Sequence, residues 1–133
     1  MLAAGLSPLD PAAAKLAAGR LFLSELDRLV AAKKDFAFES TLSGLTYVSR
    51  LKRWRRSGYR IEIIYLKLSD LRLCLTRIAD RVRSGGHDIP EPDVRRRFVR
   101  RWNNFQNRYK ILADDVRVLD VSGATPIWLP TKP

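Results

Sequence analysis

Between Tyr59 and Leu68 the chain places Ile61, Ile63, Ile64, Tyr65 and Leu66 in one short run, so both alternating faces are apolar. Successive strand residues point to opposite faces. A strand apolar on both faces is expected inside a layered fold, with helices packed above and below. Phe36–Glu39 is a second short apolar segment, ending in a carboxylate, and reads as a buried strand; Asp115–Val121 and Ile127–Leu129 read as two more. Helical stripes alternate with them. Leu16, Leu23, Leu26 and Val30 follow an Asp10-Pro11 start, and Tyr47, Leu51 and Trp54 precede a Ser57-Gly58 stop. Leu71, Leu75, Ile78 and Val82 follow a Ser69-Asp70 cap, and Val94, Phe98, Trp102, Phe105, Tyr109 and Leu112 form one long stripe after Pro92-Asp93. The order helix, strand, helix, strand, helix, helix, strand, strand predicts an α/β protein with a largely parallel sheet.

A chain of 133 residues is expected to form a single domain over 1–133. No apolar run approaches the ~18 residues that a membrane span needs. Met1–Gly19 has no basic start followed by an apolar block, so a cytoplasmic protein away from the membrane is expected. The single Cys74 excludes a disulfide within the chain and, near its helix's apolar stripe, reads as a buried inert thiol. With one cysteine and one histidine, a zinc site is not expected.

Twenty-five Lys+Arg against 14 Asp+Glu leave a net charge of +11, which favours polyanionic partners such as nucleic acid, nucleotide phosphates or an acidic surface. One basic cluster is Arg50, Lys52, Arg53, Arg55 and Arg56. The other spans a glycine turn: Arg77, Arg81 and Arg83 precede Ser84-Gly85-Gly86, and Arg95, Arg96, Arg97, Arg100 and Arg101 follow it. Two helices joined in this way can close over an anion as a lid, here about residues 77–100. Arginine suits the task because its planar fork binds phosphate oxygens in pairs. Three adjacent arginines diverge, so only one or two of Arg95–Arg97 can face a ligand. Open α/β sheets bind ligands at the carboxyl ends of their strands. Glu39 stands at such an end, with hydroxyls on Ser40, Thr41 and Ser43 after it. A buried carboxylate needs a partner; here that is a substrate hydroxyl, water around a metal ion, or a structural cap or salt bridge. His87 can contact a ligand or cap its own turn.

Phe36-Ala-Phe-Glu-Ser-Thr-Leu-Ser-Gly44, then Gly58-Tyr59 leading into the aliphatic strand, then Arg81-Val-Arg-Ser-Gly-Gly-His-Asp-Ile-Pro90 and Arg96-Arg97-Phe98 occur in that order. Together they resemble the zeta-toxin-like P-loop kinases, and Ala3-Ala4-Gly5-Leu6-Ser7-Pro8 with Ala18-Gly19-Arg20 also fits. The resemblance implies a three-layer P-loop kinase-like parallel sheet with helices on both faces. It implies an ATP- and Mg2+-dependent phosphotransferase acting on a small-molecule acceptor, in toxin members the nucleotide-sugar UDP-N-acetylglucosamine, and an antitoxin or other partner chain. Glu39 and Thr41 would bind the acceptor, with Ser40, Arg77 and His87 as weaker candidates. Arg81 and Arg97 would be the catalytic lid arginines.

The family's Gly-x-x-x-x-Gly-Lys-[Ser/Thr] string and its Asn-x-Asp general base do not occur in these residues. Phosphoryl transfer depends on such positioning and charge neutralisation. The expectation is therefore an N-terminally truncated member lacking the P-loop strand, with little or no activity alone. An upstream start, a decayed gene or a strand supplied by a second polypeptide would each account for that. Two other functions compete. One is a basic nucleic-acid-binding module using Trp54, Trp102 or Tyr109 for stacking. The other is a non-catalytic interaction protein that pairs through an open sheet edge.

Overall fold

The computed structural model describes residues 11–68, 70–86 and 90–130, so Asp10, Ser69 and His87 lie outside the described residues. These residues divide into two compact units, one ending at Glu39 and the other beginning at Ser40. In the first, helix α1 (Pro11–Ala31) carries the buried Ala14 and Leu26. It ends on a left-handed residue, Lys33 at φ 55°, with Lys34 N–H donating to Leu29 O at 3.0 Å. A non-glycine residue in that conformation costs about 1–2 kcal/mol. Phe38 meets Phe22 of α1 edge-on at 5.9 Å, and Phe36 stacks near Phe38 at 6.3 Å.

Phe36–Glu39 does not form the expected strand. A strand exists only as a member of a hydrogen-bonded ladder, and no ladder is formed here. The apolar signal reports ring contacts with α1 instead.

The second unit runs α2 (Thr46–Arg56), β1 (Glu62–Lys67), α3 (Leu71–Arg83), α4 (Glu91–Asn104), a π turn (Phe105–Tyr109), a 3-10 turn (Lys110–Leu112), β2 (Asp115–Asp120) and β3 (Ile127–Leu129). The described residues therefore form a mixed α/β protein with four α-helices and a three-stranded sheet, ordered β1-β2-β3. β1 and β2 are parallel, from Glu62 beside Asp115 to Lys67 beside Asp120. The crossover through α3 and α4 makes that direction possible. β3 returns antiparallel, with Val118 opposite Leu129 and Asp120 opposite Ile127. The sheet is thus mixed rather than largely parallel, because the short turn after β2 leaves room only for a hairpin.

The caps follow the sequence closely. Asp70 accepts from Arg72 N–H at 2.5 Å and Leu73 N–H at 3.3 Å, opening α3. Gly58, at φ 102°, closes α2, and Tyr59 N–H reaches back to Trp54 O at 3.1 Å. Among the described residues no helix is long and apolar enough to cross a membrane.

Only one face of β1 reaches core burial. Tyr65 is buried, whereas Ile64 and Leu66 on the other face are 50% and 51% exposed. The expected two-sided cover is therefore incomplete among the described residues. Tyr65 stacks on Phe105 at 4.3 Å and meets Trp102 edge-on at 5.4 Å, so α4 and the π turn cover the buried face. Phe105 and Tyr109 are fully buried.

The strand starts are tied by one carboxylate. Asp114 Oδ2 accepts from Ile61 N–H at 2.7 Å, Asp114 N–H donates to Ile61 O at 2.7 Å, and Arg55 of α2 lies 3.3 Å from Asp114 Oδ1. Asp114→Ala leaves the N–H of buried Ile61 without that acceptor. We expect a loss of about 1–3 kcal/mol in urea unfolding, and a far smaller one for Glu25→Ala in an exposed helical pair.

Candidate functional site

The loop after Glu39 is short, polar and locally hydrogen-bonded. Ser40 Oγ accepts from Leu42 N–H at 3.2 Å, the Thr41 and Ser43 hydroxyls pair at 2.8 Å, and Leu42 takes a positive φ of 55°. Hydroxyls that satisfy backbone donors two residues on are a common way to hold a tight turn. The loop is fastened from the far end of α4. Asn104 Nδ2 donates to Leu42 O at 2.8 Å, and the Tyr109 hydroxyl donates to Gly44 O at 2.7 Å. Burial raises the Tyr109 phenol above its ordinary range, which reinforces the protonated donor form that any phenol holds at neutral pH. The candidate acceptor residue Thr41 is therefore exposed on a loop anchored by buried groups. Glu39 is exposed and belongs to the first unit, so it is not the buried carboxylate expected at a strand end.

The basic cluster around the glycine turn separates into engaged and available arginines. Arg77 donates to Val121 O at 2.5 Å, tying α3 to the end of β2, which is a structural role. Arg83 pairs with Asp80 three residues before it. On α4, Arg95 Nε donates to Glu91 at 3.0 Å, and Arg96 pairs with Asp93. Among the described residues, the guanidiniums of Arg81, Arg97 and Arg100 have no hydrogen-bonding or ionic partner, and of these Arg81 and Arg97 are the two that the family resemblance singles out. Both are exposed, within two turns of the loop joining the packed helices α3 and α4.

Gly85 and Gly86 have a specific local task. Gly85, at φ 95°, donates to Val82 O at 3.0 Å, and Gly86 N–H donates to Arg81 O at 2.8 Å, closing α3 in a Schellman motif. A Cβ on Gly86 would lie 2.9 Å from that same oxygen.

Sequence reasoning missed a second feature. A cleft of about 350 Å3 opens at the carboxyl end of β1, against α4, with Lys67, Arg101 and Trp102 in its lining. None of Thr41, Arg81 and Arg97 lines it. Its signal was present: Arg101 lies three residues after Phe98 and four before Phe105, so a cation interrupts an apolar stripe.

The fold and site define a mixed α/β protein with a basic helix pair beside the carboxyl ends of its parallel strands. The chain belongs to the same family as an uncharacterized protein of Haemophilus influenzae, to which it is 32% identical over 97 residues, 73% of this chain and 69% of that protein. No family model and no solved structure matches the chain.

The anchoring hydrogen bonds can be checked directly. Tyr109→Phe removes only the hydroxyl that holds Gly44 O. We expect a loss of about 1 kcal/mol in unfolding free energy and faster amide exchange across residues 40–45 than in the parent.

Proposed function

We propose that this chain is the acceptor-binding and lid portion of a zeta-toxin-like, ATP-dependent small-molecule phosphotransferase, built on a three-layer P-loop kinase-like plan and working in the cytoplasm. The observation that carries this reading is the sorting of the arginines. Arg95, Arg96 and Arg83 are neutralised by carboxylates three or four residues away, while among the described residues Arg81, Arg97 and Arg100 are left for an external anion, Arg81 and Arg97 being the pair that the family resemblance assigns to it. A guanidinium held on a helix and not already paired can stabilise charge on transferred phosphoryl oxygens. The parallel β1–β2 pair, crossed over through α3 and α4, supports the same plan. Thr41 and Ser40 supply hydroxyls for an acceptor such as a nucleotide-sugar.

These residues do not by themselves fit ATP with Mg2+. The sequence contains no Gly-x-x-x-x-Gly-Lys-[Ser/Thr] cradle, and among the described residues no three His, Cys, Asp or Glu side chains cluster as metal ligands. The role assigned to this chain is therefore to bind and orient, and phosphotransfer by the isolated chain is expected to be negligible. The nucleic-acid reading has less support, because Trp54 and Tyr109 are buried and the half-buried Trp102 packs against Tyr65 and Phe105.

Calorimetric titration with tripolyphosphate, a stand-in for a phosphoryl chain, tests the arginines. Saturable binding should weaken about tenfold or more in Arg81→Ala or Arg97→Ala and about twofold or less in Arg96→Ala, since a charge-assisted hydrogen bond contributes about 1.5–3 kcal/mol. Binding of UDP-N-acetylglucosamine should weaken in Thr41→Ala. Equal losses for Arg96→Ala and Arg97→Ala would sink the assignment. If binding to mixed-sequence DNA with a steep salt dependence accompanied those equal losses, the nucleic-acid reading would replace it.

A further inference from the structure

The cleft at the carboxyl end of β1 has a charge pattern that the proposed phosphotransferase role does not use. Its lining includes two cations, Lys67 and Arg101, and among the described residues no carboxylate. The Lys67 ammonium sits 4.5 Å from the Trp102 ring centroid, and the Arg101 guanidinium carbon 5.9 Å from that of Tyr65. Rings favour such cations, and the Tyr65 hydroxyl is within hydrogen-bonding reach of the Arg101 guanidinium, but neither supplies an acceptor to Lys67 Nζ or to Arg101 Nε. Asp120, beside Lys67 in the sheet register, accepts from Ser122 N–H at 2.9 Å. Most telling, Arg101 Nε is buried and has no hydrogen-bond partner among the described residues. A buried charged donor without an acceptor is costly, and native proteins rarely leave one. Phe98, Val99 and Leu66 supply apolar wall beside these donors. The volume is at the lower end of the ~300–1,000 Å3 range of small-molecule sites.

The geometry points to this cleft as an anion site of its own, taking a small phosphate monoester whose apolar body lies against Phe98 and Val99 while its phosphate meets Arg101 and Lys67. It is separate from Arg81 and Arg97, neither of which lines the cleft, so either assignment can fail without the other.

Trp102 in the lining makes intrinsic fluorescence a direct readout, with calorimetry as confirmation. Phenyl phosphate, inorganic phosphate and phenol are the probes. Phenyl phosphate should saturate the signal and bind about tenfold or more tighter than either fragment, because it alone satisfies both the cations and the apolar wall. Arg101→Gln and Lys67→Met should each weaken it about tenfold or more, and Arg81→Ala about twofold or less. Thermal melts establish that each variant is folded; if Arg101→Gln is not, Lys67→Met decides. The proposal is overturned if phenyl phosphate fails to saturate in the millimolar range, or if a folded Lys67→Met or Arg101→Gln binds it like the parent. Equal weakening by Arg81→Ala would also overturn it, because binding would then follow net charge rather than this cleft.

Discussion

The stacking of Tyr65 on Phe105, with ring centroids 4.3 Å apart, sets the position of nearly everything else in the larger unit. It joins the centre of β1 to the junction where α4 gives way to a π turn. Aromatic pairs contribute about 0.5–1.5 kcal/mol beyond their burial, and here Trp102 extends the pair to a trio. The π turn lets Phe105 and Tyr109 both be fully buried. From this anchored segment the two candidate sites extend. Asn104 and Tyr109 hold the Ser40–Gly44 loop, and Arg101 with Trp102 forms a wall of the β1 cleft. Sites supported by a packed helix keep their geometry better than sites on free loops.

Much of this fold was legible because helical periodicity is a strong signal. The stripes of α2 and α3, the cap at Asp70 and the stop at Gly58 are where the residue pattern places them. The aliphatic run of β1 and the two last strands are also where they were expected. Pairing was harder to read. Phe36–Glu39 has the composition of a strand, but composition cannot show whether a ladder partner exists. The direction of β3 depends on the length of one turn rather than on its side chains. For the same reason Ile64 looked as buried as Tyr65: the sequence shows that a face is apolar, not that something covers it.

The candidate site was legible only in part, and charge shows why. A net charge of +11 describes the whole chain and says nothing about which cations are engaged. Local spacing is more informative. Asp80 stands three residues before Arg83, and Glu91 four before Arg95, so those pairs follow from helix geometry. Asp93 stands three before Arg96 and four before Arg97, and it pairs with Arg96. One carboxylate cannot neutralise both. Spacing therefore narrows the choice to two neighbouring arginines, and only the coordinates distinguish them. Exposed pairs of this kind add little stability, so their main consequence is to remove some cations from the pool available to a ligand.

The Gly85-Gly86 pair shows how one motif can support two readings. As a sequence it suggests a hinge between two basic helices. In the folded chain both residues are committed to the end of α3: Gly85 supplies a left-handed conformation, and Gly86 sits where any side chain would press on the Arg81 carbonyl oxygen. Its N–H also donates to that oxygen, at 2.8 Å. A residue locked in this way does not act as a free pivot. It fixes the last turn of α3, and with it the backbone that carries Arg81. The glycines thus act by fixing the backbone at the end of α3 rather than by allowing motion there.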